Sequence, residues 1–359
     1  AGLIFNGIIL LIITIFFALY MWRVWHRIPF AEAMIMIASD IIQQYTGIIW
    51  VALLMLAAQV AWILIWGGSV AILLASDSIG ESYVIYFVLL ISLYWNLETF
   101  KNLCHCTVCG VAASWYFSPY PQSPTKASLK RSCTTSLGSV ALGSLIVSII
   151  QAFRAIIRQM ARDGRLNGLL ACCIDCLLGC LERWIEWFNK YAYAHVAIYG
   201  ESFIKSAKQT WSLLKSKGID AWINDDLTGF ALICGAVIGG FICAAIAGLM
   251  VMMNSNLDDS LATAYAFLGF FIGFYLCWTV LHTVASCVVA IFVCYAEDPN
   301  AMEVNRPNEY HKLTAARNGV SGADYDAQQQ QQQQQQQEMN QPAQQAPPQQ
   351  YGNMYGQQY

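Results

Sequence analysis

IYFVLLISLYWNLETFKNLCHCTVCGVAASWYF, running from Ile85 to Phe117, is the stretch that decides how this chain is read. It is long enough to cross a bilayer, since about 20 apolar residues suffice. Yet its middle carries Glu98, Lys101 and His105. An ionised side chain at the centre of the hydrocarbon costs roughly 2.5–3.5 kcal/mol on insertion scales, so such groups persist where they face protein or water. Steps of three and four residues place the three on one helical stripe. Trp95 extends the stripe by a turn with Tyr94 beside it, and Trp115 and Tyr116 stand at the far end. The pattern reads as a polar, aromatic-flanked stripe lining a pathway through a membrane protein.

The composition agrees. Of 359 residues, 57% are hydrophobic and only 11% charged, against about 25% charged in soluble domains. The apolar residues fall in runs of span length rather than in short alternating strands, which excludes a β-barrel. The expected fold is therefore all-α and polytopic. The net charge of -3 says little about partners, and no basic, aromatic-interleaved patch points to nucleic acid. Thirteen cysteines lie mostly inside apolar runs, where Cys behaves as a small hydrophobe, so few or no disulfides are expected.

Seven spans are expected within a membrane domain over 1–300, at about 1–22, 47–66, 83–117, 137–157, 168–199, 230–253 and 264–294. The chain opens AGLIF, without Met and already inside an apolar run, which reads as a fragment lacking upstream helices. Between the first two spans, Met34, Ile35, Ile37, Ile41 and Ile42 suggest an amphipathic helix at the interface or joining the next span. Ser202 to Lys217 reads as a basic loop or surface helix. The segment 168–199 is interrupted by Asp175, Glu182 and Glu186; it is expected to cross, although this puts Arg162 and Arg165 outside. Glycines and serines at 137–145 and 235–248 allow close helix approach and are the expected places for helix sliding. Lys and Arg follow the first and third spans, precede Phe230 and follow Cys294, whereas 69–82 and 254–260 have none. The positive-inside rule then places the first set and the C-terminus in the cytosol. A cytosolic segment at 301–318 precedes a Gln-rich tail at 319–359, which cannot bury enough apolar surface to fold alone.

Several stretches resemble the choline transporter-like family, in its fungal, plant and protist branch. They are Arg27-Ile-Pro-Phe-Ala; Tyr94-Trp95 with Lys101-Asn102 and His105; Gly110 with Trp115-Tyr116-Phe117; Lys130-Arg131-Ser132; and Gly138-Ser139 with Gly143-Ser144-Leu145-Ile146. The Cys-rich run from Cys172 to Trp211 and Ala296-Glu297-Asp298-Pro299, ending at Arg306-Pro307, complete the match. The resemblance implies ten spans in the whole protein with cytosolic termini, the seven here being the fourth to the tenth. It implies a plasma-membrane carrier that moves choline or a related small organic cation by alternating access. Alternatives are a carrier of another small solute, a membrane scaffold or regulator acting through the tail, and an ion channel.

Candidate residues follow from the chemistry of such a substrate. A quaternary ammonium has no N–H to donate, so aromatic faces and nearby carboxylates recognise it. Tyr94, Trp95, Glu98, Trp115 and Tyr116 are candidates for substrate binding. Two pairs separated by some 20 helical residues stand about 30 Å apart, so they cannot form one cage, and packing or an interfacial belt is the stronger reading of each pair. Glu98, Lys101, His105, Asp175, Glu182 and Glu186 are candidates for an ion or proton pathway. His105 titrates near neutrality when unperturbed. The competing readings are a structural Glu98–Lys101 pair, and a wet interfacial face for Asp175, Glu182 and Glu186. Cys104, Cys106 and Cys109 beside His105, and Cys172 to Cys180, lack zinc-site spacing; no metal or other cofactor is expected. Palmitoylation is the alternative for Cys172 to Cys180. No nucleophile elbow, P-loop or HExxH motif is present, so an enzyme is not expected.

Overall fold

A computed structural model describes residues 24–75, 83–253 and 259–321 continuously, with scattered positions before 24 and between 324 and 335. The expected span at 1–22 falls largely outside the described residues. So do Asp77 and Glu81, most of the loop at 254–260, and most of the Gln-rich tail.

The chain is an all-helical membrane bundle. A 3-10 turn at Trp25–Arg27 leads into α1 (Ile28–Gln44), then α2 (Gly47–Ala75), α3 (Tyr83–Phe117) and the short α4 (Pro124–Cys133). The long helices α5 (Leu137–Arg162), α6 (Gly168–Tyr199), α7 (Phe203–Met252) and α8 (Asp259–Glu297) follow, then α9 (Pro299–Asn305) and α10 (Pro307–Arg317). Among the described residues, α2, α3, α5, α7 and α8 are long and apolar enough to cross a membrane. α6 has the length but carries Asp175, Glu182, Arg183, Glu186 and Lys190. Gly200, at φ +71°, ends it in the left-handed conformation that glycine adopts without strain.

α3 is the axis of the bundle. It touches α2, α4, α5, α6 and α8. From Asn102 to Tyr116 all but Cys104 and Ser114 are buried, as expected of a helix surrounded by others. Side-chain contacts fix the directions of its neighbours. His105 meets Ser286 and Tyr116 meets Asp298, so α8 runs parallel to α3. Lys101 meets Glu186 and Cys106 meets Tyr193, so α6 is parallel too. Gln59 bonds the Leu97 carbonyl and Trp66 the Leu89 carbonyl, so α2 runs opposite. Phe87 packs on Phe153 and Asn102 bonds Ser144, so α5 also runs opposite. Lys190 with Asp225, and Tyr191 with Ala221, set α7 against α6.

α7 is one unbroken helix of 50 residues, in which the basic segment at Ser202–Lys217 runs on as helix into the stretch from Phe230. The acidic residues between Lys217 and Phe230 are engaged: Asp220 pairs with Arg27, Asp225 with Lys190, and Asp226 accepts from the Tyr20 hydroxyl. α1 joins α2 across Tyr45 and Thr46, the second of the two placements expected for it. Met34, Ile37 and Ile41 are buried against the protein, where α1 packs on α8 and α10.

α7 and α8 form the most extensive helix pair. Its closeness comes from glycines on both sides: Gly239 and Gly240 face Cys277 and Phe270, and Gly273 faces Cys243. Inside a bilayer, lipid tails already satisfy apolar side chains, so such van der Waals fit holds helices together. The outer faces carry exposed Phe241, Ile242, Ile246, Phe267, Phe271 and Ile272, as a lipid-facing surface should.

Candidate functional site

The charged stripe on α3 opens into a cavity of about 280 Å³ shared by α3, α5, α6, α7 and α8. The lining residues are Glu98, Lys101, Asn102 and His105 from α3, Val147 from α5, Glu186 to Tyr193 from the C-terminal half of α6, Asp225 from α7 and His282 from α8.

Lys101 Nζ lies 2.8 Å from Glu98 Oε2 and 3.8 Å from Glu186 Oε1. Gln151 reaches Glu98 at 3.4 Å. Lys190 holds Asp225 through both carboxylate oxygens at 2.7 and 2.9 Å. The wall therefore bears three carboxylates, Glu98, Glu186 and Asp225, against Lys101, Lys190 and Arg183. Trp187 and Tyr193 supply aromatic surface. Trp187 is held by Trp184, Tyr191 and Trp222, and its indole N–H is buried without a partner among the described residues.

His105 is fixed through both ring nitrogens. Nε2 lies 2.9 Å from the Lys190 carbonyl and Nδ1 lies 2.8 Å from the Ser286 hydroxyl. A carbonyl only accepts, so Nε2 carries the proton. The Ser286 hydroxyl also lies 3.0 Å from the His282 carbonyl, giving its proton a second acceptor.

Asp175 and Glu182 do not reach this cavity. Arg154 of α5 bridges them, with Asp175 at 3.0 Å, and Arg158 reaches Asp175 at 3.1 Å. Gly179 lets the guanidinium through: an added Cβ would stand 2.9 Å from Arg154 Nη2. Of Asp175, Glu182 and Glu186, the structure brings only Glu186 to the cavity with Glu98, Lys101 and His105.

Nor do the aromatic candidates line it. Trp95 is 37% exposed and donates to the Ala141 carbonyl at 2.8 Å; Tyr94 is half-buried beside it. Trp115 lies under the Arg306 guanidinium, 4.8 Å from the ring centroid, and Tyr116 donates to the Asp298 carbonyl at 2.8 Å. Both anchor the segment after α8.

Sequence reasoning missed Lys190, Trp187, Asp225 and His282 as cavity residues. His282 carried a usable signal, an imidazole inside the apolar run 264–294. Lys190 and Asp225 sit among other charges, and nothing in their spacing shows that they face each other. The thirteen cysteines are free thiols, with Cys172, Cys173, Cys176 and Cys180 exposed on the outer face of α6.

Comparison with known proteins adds a second line of observation. A family model described as plasma-membrane choline transporter matches residues 8–300. Among similar proteins, Protein PNS1 of Gibberella zeae is 36% identical over 331 residues, covering 86% of this chain and 62% of its own length. A CTL-like protein of Dictyostelium discoideum is 30% identical over 318 residues, covering 86% and 56%. Protein PNS1 of Cryptococcus neoformans is 31% identical over 336 residues, covering 86% and 61%. The chain thus spans about three fifths of the length of the curated relatives it matches.

Proposed function

The chain belongs to the choline transporter-like family, and on that premise we propose that it carries choline or a related small organic cation across the plasma membrane by alternating access. The observation that carries this reading is the cavity where Glu98, Glu186 and Asp225 converge beside Trp187 and Tyr193. Carboxylates attract an onium group and aromatic faces accommodate one that has no N–H. α6 then counts as a crossing, and the Lys/Arg-rich ends with the C-terminus face the cytosol.

In this reading Lys101 occupies the place of the arriving cation. Its contact with Glu186 is the longer of its two, so an onium entering between Glu98 and Glu186 replaces that contact first. Access is closed on one side by the Arg154 and Arg158 contacts to Asp175 and Glu182, and on the other by Lys190–Asp225. Alternation breaks one set while the other holds, as packed elements rearrange between discrete states. His105 suits proton handling: an imidazolium would donate from Nδ1 to Ser286, whose own proton turns to the His282 carbonyl.

The equal numbers of cationic and anionic side chains around the cavity favour a second reading, a zwitterionic solute with an ammonium and an acid group. Uptake of labelled choline into proteoliposomes holding the whole protein tests the choice. Saturable uptake at two pH values, competed by choline analogues and not by betaine or amino acids, supports the cation. The reverse competition supports the zwitterion. No uptake of either class overturns the carrier reading.

A further inference from the structure

A second cavity, of about 470 Å³, lies among the turn before α1, α7, α8 and the end of α10. Its charge is one-sided. His26 and Arg27 come from the 3-10 turn, Lys217 from α7 and Arg317 from the end of α10. The acid among its lining residues, Asp220, is paired with Arg27. His26, Lys217 and Arg317 have no ion-pair partner among the described residues. At its wall Asn224 is only 4% exposed, and its amide oxygen has no hydrogen-bond partner among the described residues.

We propose that this cavity binds a phosphorylated polyol: a phosphate ester that also bears hydroxyl groups. The unpaired Lys217 and Arg317 call for an anion with several acceptor oxygens, which phosphate supplies. Asn224 calls for a donor from the same ligand, since a buried carbonyl oxygen left unpaired costs free energy that a hydroxyl restores. Inositol phosphates combine both features, free in solution or as a lipid headgroup. Basic pockets among helices at the cytosolic face of membrane proteins recognise such headgroups, and the segments forming this one are the Lys/Arg-rich ones. An occupant would join the end of α10 to α7 and to the turn before α1. It would also sit one residue from Asp225, which pairs with Lys190 in the central cavity.

The test uses the full chain in nanodiscs. Labelled inositol 1,4,5-trisphosphate and inorganic phosphate are titrated in neutral lipid. Separately, the unfolding midpoint is read with phosphatidylinositol 4,5-bisphosphate or with phosphatidylserine at matched charge. Saturable binding of the soluble probe is expected, weakened about fivefold by each of Lys217→Gln and Arg317→Gln, at roughly 1 kcal/mol per cation. Lys215→Gln, which removes an exposed charge two residues away on the same helix, is expected to leave it unchanged. Asn224→Leu is expected to weaken the inositol probe more than inorganic phosphate. A midpoint shift with the bisphosphate lipid but no soluble binding assigns the site to the lipid form and supports the proposal. Equal shifts with phosphatidylserine, equal losses with Lys215→Gln, or no binding of either form overturn it. Inorganic phosphate binding as tightly as the inositol probe overturns the polyol.

Discussion

Lys101 stands 2.8 Å from Glu98, three residues before it on the same helix, with the Glu98 side chain largely buried and the Lys101 side chain 42% exposed to the cavity. The carboxylate is therefore the fixed partner and the ammonium the movable one. Glu98→Gln removes the nearer anion and leaves Lys101 with only its longer contact, 3.8 Å, to Glu186. Labelled-choline uptake is expected to fall at least tenfold, about 1.4 kcal/mol or more of lost attraction. Trp95→Phe, which keeps the ring on the outer side of α3, is expected to hold uptake within about twofold. A larger loss with Trp95→Phe than with Glu98→Gln would move the site out of the cavity.

Arg154 is shared by Asp175 and Glu182, and its side chain is 22% exposed. Replacing one partner of a poorly solvated ion pair strands the others. Arg154→Met is expected to cost about 2–4 kcal/mol in unfolding free energy. Arg154→Met with Glu182→Gln should cost less than the sum of the single changes, with a coupling of about 1–2 kcal/mol. Additive losses would mean that the contact is a surface pair of little consequence.

Gly143 and Gly138 lie in the same helix but in different surroundings. A Cβ at Gly143 would collide with the Tyr193 hydroxyl and stand 2.6 Å from Phe203 Cε2, whereas one at Gly138 meets nothing within 4 Å. Gly143→Ala is expected to destabilise by about 1–3 kcal/mol through overpacking. Gly138→Ala should be neutral or stabilise by up to about 1 kcal/mol through helix propensity. Thermal unfolding of the two variants in nanodiscs checks the contrast.

Arg306 stacks over Trp115 and donates to the carbonyls of Trp115, Ser118 and Pro119 at 3.2–3.3 Å. A lysine offers no planar fork for this arrangement. Arg306→Lys is expected to loosen α9 and α10 and to speed proteolytic cleavage within 306–321 several-fold, with uptake retained. An unchanged cleavage rate would show that α1 packing and the Tyr116 contacts to Asp298 and Asn305 hold the segment without Arg306.

What was legible in the sequence depended on whether one helix sufficed to show it. The α3 stripe was legible because its spacing alone places Glu98, Lys101 and His105 together. The membrane class was legible because apolar run length is a local property. The partners of those residues were not. Glu186 and Asp175 occupy the same kind of position on α6, yet one faces the cavity and the other Arg154, and only the packing of α5 against α6 separates them. Trp115 and Tyr116 had the chemistry of a cation cage, but Arg306, nearly two hundred residues later, already covers the tryptophan. The continuity of α7 was hidden for a similar reason: Asp220, Asp225 and Asp226 look like a water boundary until Arg27, Lys190 and Tyr20 are placed beside them.

That unbroken α7 has a mechanical consequence. A 50-residue helix is a rod of about 75 Å, and Asp225 lies close to its midpoint. Lys190 grips the rod there as a fulcrum. A tilt of about 5° around that point would swing each tip by about 3 Å, enough to change which side chains meet at either surface. Because α8 is locked to one arm by interleaved glycines, it would travel with the rod. A small adjustment beside Asp225 in the central cavity would then emerge, magnified, at both ends of α7.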